Sequence, residues 1–359
     1  MSIHFHKLTV KDVRRETPEC VSVLFEIPEE IKKEFAFNQG QSLTMRTFLK
    51  GEEIRRTYSI CASPSDNEWR VAIKKQEGGL FSSFANDQLK AGDVLEVMQP
   101  VGKFYTELDP AKKKSYVAFA AGSGITPVIS IIKTTLRTEP HSFFTLVYGN
   151  RNKNSIIFKE ELEGLKDKFI DRFRIIHILS RERTDALINS GRIDTKKLNE
   201  LNKLIRYANT DEFFICGPEE MIFCAKEFLE SSGIEKKKIH FELFTTPGEK
   251  KPGVLSRQSA AKDSSQKSKI SVKLDGITFD FDLGFNAEPI LDAALKQGAD
   301  LPFACKGGVC CTCKAKLVEG EVDMEVHWGL EHEEIEQGYI LTCQSHPKTG
   351  RVVVDFDIK

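Results

Sequence analysis

Ala304-Cys305-Lys306-Gly307-Gly308-Val309-Cys310-Cys311-Thr312-Cys313, followed later by Thr342-Cys343-Gln344, is the stretch on which the reading of this chain turns. Cys305, Cys310 and Cys313 are spaced C-x4-C-x2-C, and Cys343 follows after 29 intervening residues. Three thiolates on one tight loop plus one remote thiolate is the ligand spacing of a [2Fe–2S] cluster. Gly307 and Gly308 let the backbone curl close to an inorganic core, where N–H groups can donate to sulfur. Structural zinc is the rival, but zinc sites usually pair two C-x2-C hooks or add histidines, and here the remote half is one cysteine. Cys311 reads as a spectator. Cys20, Cys61, Cys216 and Cys224 read as small buried hydrophobes.

The loop lies in a small C-terminal domain expected over 269–359. Ile270, Val272 and Leu274 share a face, Asp275-Gly276 is a two-residue hairpin turn, and Ile277, Phe279, Phe281 and Leu283 resume the alternation. A helix at 289–297 leads into the cysteines. Before this domain, 247–268 has no aromatic residue and much Pro, Gly, Ser and Lys. That composition predicts a flexible linker with a reach of roughly 25–30 Å.

Further upstream, 111–246 alternates strands and helices, the pattern of a parallel sheet wound with helices. Strands are expected at 116–120, 144–148, 173–179, 213–216 and 239–244, and helices at 128–137, 158–166, 195–204 and 218–231. Residues 1–110 read as short strands (20–27, 42–48, 55–61, 70–74) punctuated by glycines, which predicts an antiparallel β-barrel. The chain is therefore expected to be multidomain: barrel, α/β nucleotide domain, linker, α+β cluster domain.

Two further motifs carry chemistry. Arg56-Thr57-Tyr58-Ser59 precedes Gly78-Gly79-Leu80-Phe81-Ser82, which opens a short helix. Arg56 can pair with a phosphate, Tyr58 offers a flat face, and a Gly-rich helix start presents free N–H groups to a pyrophosphate. Ala120-Ala121-Gly122-Ser123-Gly124-Ile125-Thr126-Pro127 follows an apolar strand and precedes a helix. Its glycines bring N–H groups against dinucleotide phosphates, with Thr126 expected as N-cap and Pro127 as first helical residue. Pro replaces the third glycine of the usual G-x-G-x-x-G.

In this order the motifs resemble the ferredoxin-NADP reductase family, and 270–359 is similar to a plant-type ferredoxin of β-grasp fold. The resemblance implies that Arg56 binds the flavin phosphates, Tyr58 stacks on the flavin ring and Ser59 contacts its reactive edge. It places Thr57, Leu80 and Phe81 within the flavin motif, and Gly79 and Ser82 on the pyrophosphate. Some relatives use FMN; the Gly-Gly loop favours FAD. The turn Cys216-Gly217-Pro218 is implied to lie beside the nicotinamide, with Cys216 positioning the hydride, and Glu242 and Phe244 to approach the flavin.

The choice of nicotinamide rests on charge. A 2′-phosphate needs cations, whereas a bare ribose is usually gripped by a carboxylate. Arg151 follows the second strand of the nucleotide domain, and Ser180-Arg181 follows the third. They favour NADPH and leave NADH possible.

The stretches RRTYSIC, AAGSGITP, YGNR, CGP, ILDAALKQGADLP, ACKGGVCCTC and VVVDFD resemble most the reductase components of bacterial phenylacetyl-CoA epoxidases, which are di-iron oxygenases. The implied function is electron transfer from NADPH through FAD and [2Fe–2S] to a partner oxygenase or other redox protein. A self-sufficient NAD(P)H oxidoreductase serving another oxygenase, a desaturase or a small acceptor is the alternative. A non-catalytic redox sensor is a third class, and the intact flavin and nicotinamide motifs speak against it.

Composition is consistent with this. The chain has 359 residues and a net charge of −1, which gives no global field for nucleic acid or anionic membrane. No apolar run approaches the ~20 residues that span a bilayer. The N-terminal residues lack a secretory pattern, so a cytoplasmic location is expected. The segment 319–337 holds eight acids and no Lys or Arg; it reads either as steering for a basic partner or as a solvated loop.

Overall fold

A computed structural model describes residues 4–245, 266–285 and 287–358. The expected linker falls outside the described residues up to 265, and its last two residues, Lys267 and Ser268, are already strand. The chain forms two compact units. One comprises Lys7–Ile54 and Tyr58–Phe244; the other comprises Thr245–Lys359 with Met1–His6 and Arg55–Thr57.

The antiparallel sheet contains β1 (Phe5–Thr17), β2 (Cys20–Glu26), β3 (Ser42–Leu49), β4 (Glu52–Ser59), β5 (Trp69–Lys74) and β6 (Val94–Met98), in the order β4-β3-β6-β1-β2-β5. Past β4, Ile60 bridges Val71 and the Cys61 N–H donates to Arg70 O at 2.8 Å. The two edge strands thus meet, and the sheet closes on itself. Leu43, Met45, Val71, Ile73 and Val97 are fully buried inside it. Helix α1 (Leu80–Asp87) packs on β5 and β2.

Strand β1 was not evident in the sequence. A register shift between Val10 and Asp12 breaks its alternation, and its outer face is filled by Lys and Arg.

The parallel sheet contains β7 (Ser115–Ala121), β8 (Phe143–Asn150), β9 (Phe173–Leu179), β10 (Glu212–Cys216) and β11 (Ile239–Glu242). Between them run α2 (Ile125–Thr138), α3 (Lys159–Lys168), α4 (Thr195–Ile205) and α5 (Glu219–Ser231). Strand order is β11-β10-β7-β8-β9, all parallel. The chain winds outward from β7 through β8 to β9, then returns to the other side of β7. Such a reversal opens a crevice at the strands' carboxyl ends, where ligands bind in α/β folds.

Helix α2 is buried over most of its length and is joined by hydrogen bonds to the segment after β4. Ser130 Oγ donates to Ala62 O at 2.6 Å, and Lys133 Nζ to Cys61 O at 3.1 Å. Lys133 Nζ also meets Glu161 at 2.6 Å, so its buried charge is paired.

In the C-terminal unit, β12 (Lys267–Leu274) and β13 (Ile277–Gly284) form the expected hairpin. Asp275 and Gly276 both take positive φ, 54° and 74°, as a type I′ turn requires. The Asp357 carboxylate accepts from both turn N–H groups, at 2.7 and 3.0 Å. Ile277 is 61 % exposed, because the turn lifts it off the core that Leu283 reaches. After α6 (Ile290–Lys296) come β14 (Lys314–Glu319), β15 (Val322–Met324), α7 (His332–Glu336), β16 (Tyr339–Leu341), β17 (Ser345–Pro347) and β18 (Arg351–Asp355). The sheet order is β13-β12-β18-β14-β16, with β15 and β17 paired apart. No helix among the described residues is long and apolar enough to cross a membrane.

Candidate functional site

The crevice end of the parallel sheet gathers residues far apart in sequence. Gly122, with φ 54°, turns the chain at the end of β7 into a single 3-10 turn that runs directly into α2. Thr126 is therefore not the N-cap, and Pro127 is the third helical residue; Gly124 precedes the helix and the Thr126 hydroxyl turns back to Ser123 O at 3.0 Å. A Cβ on Gly124 would stand 2.1 Å from Cys216 O and 2.7 Å from Gly217 N, so only glycine lets this loop lie against the end of β10. Gly217 in turn fits against Ala121 and Met221. Tyr148 OH donates to Gly122 O at 3.0 Å and fixes the turn from below.

Beside this loop, β11 aligns Glu242 with Cys216. Ser59 Oγ, at the end of β4, donates to Glu242 Oε2 at 3.2 Å. Burial holds the Glu242 carboxyl up to about 8, although part of its surface stays accessible. Burial, then the nearby Glu242 charge, pushes the Cys216 thiol up. At neutral pH the pair is a protonated acid that accepts from the Ser59 hydroxyl, next to a neutral, fully buried thiol. Phe244 is 43 % exposed at the end of this segment.

The sign of the Glu242 shift yields a prediction. Between pH 4.5, its ordinary value, and about 8 the folded chain keeps a proton that the unfolded chain has lost, so stability falls as pH rises across that window. Glu242→Gln, neutral throughout, should lack this slope. Relative to wild type it should gain about 1–2 kcal/mol between acid and alkaline pH, less than full linkage because the carboxyl is partly accessible. Urea unfolding midpoints of both proteins across the window check this; parallel profiles would contradict it.

On β4, Arg56 and Tyr58 share one face and Thr57 and Ser59 the other. The Tyr58 ring lies against Phe81 at the start of α1, with centroids 5.6 Å apart. Gly79 precedes α1, whose first N–H groups, from Leu80, Phe81 and Ser82, have no helical partner. The Ser82 hydroxyl accepts from Gln76 N–H at 3.0 Å and donates to Gly79 O at 3.3 Å, so it shapes the Gly78-Gly79 turn. A flat half-buried ring, an exposed arginine and an open helix start fit a dinucleotide with an aromatic ring system.

Sequence reasoning missed Lys74, the last residue of β5. Its ammonium reaches to within 3.8 Å of where a Gly122 Cβ would be, a cation at the glycine turn after β7. No local motif announces it, because the approach is between two strands' ends.

At the other edge, Ser180 N–H donates to Asn150 O at 2.9 Å and Arg181 N–H to Arg151 O at 2.8 Å. The backbone thus sets exposed Arg151 and Arg181 side by side. Neighbouring Glu182 is occupied by Lys153 at 3.2 Å, while neither arginine has a carboxylate partner among the described residues.

In the C-terminal unit the four cysteines come together. Cys310 Sγ lies 3.1 Å from Cys305 Sγ, and Gly307 N–H points at Cys305 Sγ at 3.3 Å. Contacts from Cys310, then Cys343, hold the Cys305 thiol far below its usual range. The same contact with Cys305 pushes Cys310 and Cys343 up, with burial and Cys313 adding to it. Among the described residues no group of three or more His, Cys, Asp or Glu side chains is set to hold a single metal ion. The sulfurs lean on one another instead. Four soft thiols without histidine or carboxylate, served by backbone N–H groups, fit an iron–sulfide core better than zinc.

The loop is roofed by 326–329. A Cβ on Gly308 would meet Val326 O at 2.6 Å, and one on Gly329 would meet Cys310 O at 2.6 Å. Four of the eight acids of 319–337 are paired with residues beyond that segment: Glu319 with Arg351, Asp323 with Lys348, Glu334 with Lys314 and Glu325 with His346. That favours the solvated reading over a steering patch.

Comparison with known proteins agrees with this layout. Residues 7–105 match the oxidoreductase FAD-binding domain family, 119–227 the oxidoreductase NAD-binding domain family, and 272–348 the 2Fe-2S iron-sulfur cluster binding domain family. The chain is 46% identical to a component of the 1,2-phenylacetyl-CoA epoxidase of Escherichia coli (strain K12), covering 99% of this chain and 98% of that protein. It is 32% identical to the ferredoxin reductase component of 3-ketosteroid-9-alpha-monooxygenase from Rhodococcus rhodochrous, covering 97% and 96%. Its fold is like that of phthalate dioxygenase reductase, with a TM-score of 0.58 at 23% identity and 98% of each chain covered.

Proposed function

This chain belongs to the family of NAD(P)H-dependent, FAD- and [2Fe–2S]-containing reductases that serve oxygenases, and from that premise we propose that its partner is a phenylacetyl-CoA epoxidase. The observation that carries the choice of partner is 46% identity to an epoxidase component along essentially the whole chain. The proposal includes a cytoplasmic location and the domain division 1–110, 111–246 and 269–359.

When bound, FAD supplies conversion of a two-electron hydride into single electrons, and the cluster supplies their relay. The chain supplies placement. Arg56 and the first N–H groups of α1 bind the flavin phosphates, and Tyr58 covers the ring. Gly122, Ser123, Gly124 and Lys74 hold the nicotinamide dinucleotide's phosphates. Cys216-Gly217-Pro218 sets the depth at which the nicotinamide rests, and Ser59 and Glu242 hold a proton between Oγ and Oε2. Cys305, Cys310, Cys313 and Cys343 hold the cluster.

Arg151, Ser180 and Arg181 receive the 2′-phosphate of NADPH. Arg181→Ala should raise the Michaelis constant for NADPH by about 10-fold or more, as loss of a charge-assisted contact of ~1.5–3 kcal/mol implies, and leave NADH nearly unchanged. Equal effects on both would remove the reason for choosing NADPH.

The partner is tested by reconstitution. NADPH, this chain and purified oxygenase components of a phenylacetyl-CoA epoxidase should consume oxygen and NADPH in step with phenylacetyl-CoA. Brisk cytochrome c reduction without any support of the epoxidase would refute the partner and leave the reductase intact.

A further inference from the structure

Arg55 precedes Arg56, the residue for the flavin phosphates, on β4, and it points to the opposite face because successive strand residues alternate. Its side chain is 4 % exposed. A guanidinium withdrawn from water needs partners, and Arg55 finds them on the approach to the cluster loop. Nη1 donates to Leu301 O at 3.2 Å, and Nη2 donates to Asp300 Oδ1 at 3.1 Å. The guanidinium carbon lies 3.9 Å from the centroid of the Phe303 ring and 5.0 Å from that of Phe5. Arg55–Thr57 and the cluster loop belong to the same compact unit.

Phe303 stands two residues before Cys305. Lys306, directly after Cys305, brings its Nζ to 4.7 Å from the same ring and is itself held by Asp292 at 2.6 Å. Residues on both sides of Cys305 therefore meet on one ring, and Arg55 covers that ring. The Asp300 side chain is 71 % exposed, so solvent screens its pairing with Arg55. The stack on Phe303 and the bond to Leu301 O are the shielded contacts, and together they suit the planar fork of arginine. An apolar residue would fill this buried place without the cost of desolvating a charge.

We propose that Arg55 seats the 300–306 segment on β4 and is thereby the positioning residue for the one-electron step from flavin to cluster. In that step one electron leaves the reduced flavin and one enters the cluster, and no bond forms or breaks. Its rate falls steeply with distance, so a small displacement of the Cys305 segment slows it. Arg56 serves the flavin from one face of the strand while Arg55 grips the loop from the other, so one stretch of backbone sets both. This role presupposes the bound flavin and cluster and does not depend on the partner.

The test uses the full chain, with iron and FAD measured first. A wild-type chain that lacks either would defeat the cofactor reading itself, apart from this role. Anaerobic stopped-flow mixing with NADPH follows flavin bleaching and then cluster bleaching. In Arg55→Ala flavin bleaching should keep its wild-type rate while cluster bleaching slows by about 100-fold. Phe303→Leu, which keeps bulk and loses the ring, should slow cluster bleaching too. The double variant should be no slower than Arg55→Ala, because both changes remove one shared contact. Cluster midpoints, from potentiometric titration followed by electron paramagnetic resonance, should match wild type. Amide hydrogen exchange across 300–306 should quicken in Arg55→Ala.

A loaded Arg55→Ala with wild-type cluster bleaching would overturn the role. So would equal slowing of flavin and cluster bleaching, which marks general damage, or a midpoint shifted enough to account for the slowing. Slowing in the double variant by the product of the single effects would overturn the shared contact. If Arg55→Ala loses iron or FAD, Arg55→Lys takes its place, with the charge kept and the fork lost. Slower cluster bleaching in a loaded Arg55→Lys supports the role; the wild-type rate, or loss of cofactor there as well, overturns it.

Discussion

Cys343→Ser should strip the chain of its iron–sulfur absorption while NADPH still reduces ferricyanide at close to the wild-type rate. Cys343 is the one thiol of the four that comes from outside the loop. It sits 4 % exposed after β16. Thr342 N–H and Oγ1 both donate to Cys313 O, at 3.2 and 3.1 Å, and Gln344 Nε2 donates to Lys306 O at 2.9 Å. The backbone on both sides of Cys343 is therefore tied to the loop, and serine would occupy the place without moving it. A serine hydroxyl stays protonated where a thiol ionises, so the fourth ligand is lost. Iron affinity should fall by well over ~100-fold, beyond the 10–100-fold that loss of an outer partner of a metal ligand costs. Ferricyanide can take electrons at the flavin, whereas cytochrome c reduction should fall with the cluster. Iron content and the two acceptor assays check this, and simultaneous loss of both activities would contradict independent modules.

Gly124→Ala should have an effect of similar size on the nicotinamide side. The added methyl meets backbone on every near contact: Cys216 O at 2.1 Å, Cys216 C at 2.4 Å and Gly217 N at 2.7 Å. Neither partner can rotate away, so the turn after β7 must move off the end of β10. Overpacking of this kind costs about 1–3 kcal/mol in stability. A displacement near 1 Å at a positioning turn can cost roughly 100-fold in rate. The expected result is kcat/KM for NADPH down by about 100-fold, with flavin retained and the cluster spectrum unchanged. Retained kcat/KM would mean that the nicotinamide does not depend on this approach.

The sequence was informative where the signal is local. The cysteine spacing, the Asp275-Gly276 turn and the glycine turn after β7 each depend on neighbours a few residues away. Cys310 lies against Cys305 within the loop, while Cys343 reaches Cys305 and Cys313 from well beyond it. What could not be read depends on long-range approach. Ser59 and Glu242 stand 183 positions apart, and nothing near either announces the bond between them. Lys74 reaches Gly122 only because two strands end side by side. Thr126 was misplaced as a cap because a positive φ at Gly122 starts the turn earlier than a capping threonine would. The long strand β1 was hidden by its bulge and its charged outer face. The roof at Val326 and Gly329 had no sequence signature beyond the glycine itself.

A flavin upstream of four thiolates that share two irons is the arrangement from which the rest of the chemistry follows. Metal and flavin analysis of the purified protein, followed by anaerobic titration with NADPH, checks that arrangement. About two irons and one FAD per chain, no zinc, and a cluster that NADPH reduces only while the flavin is present are expected. Stoichiometric zinc, or a chain that holds neither iron nor flavin after anaerobic reconstitution, would contradict it.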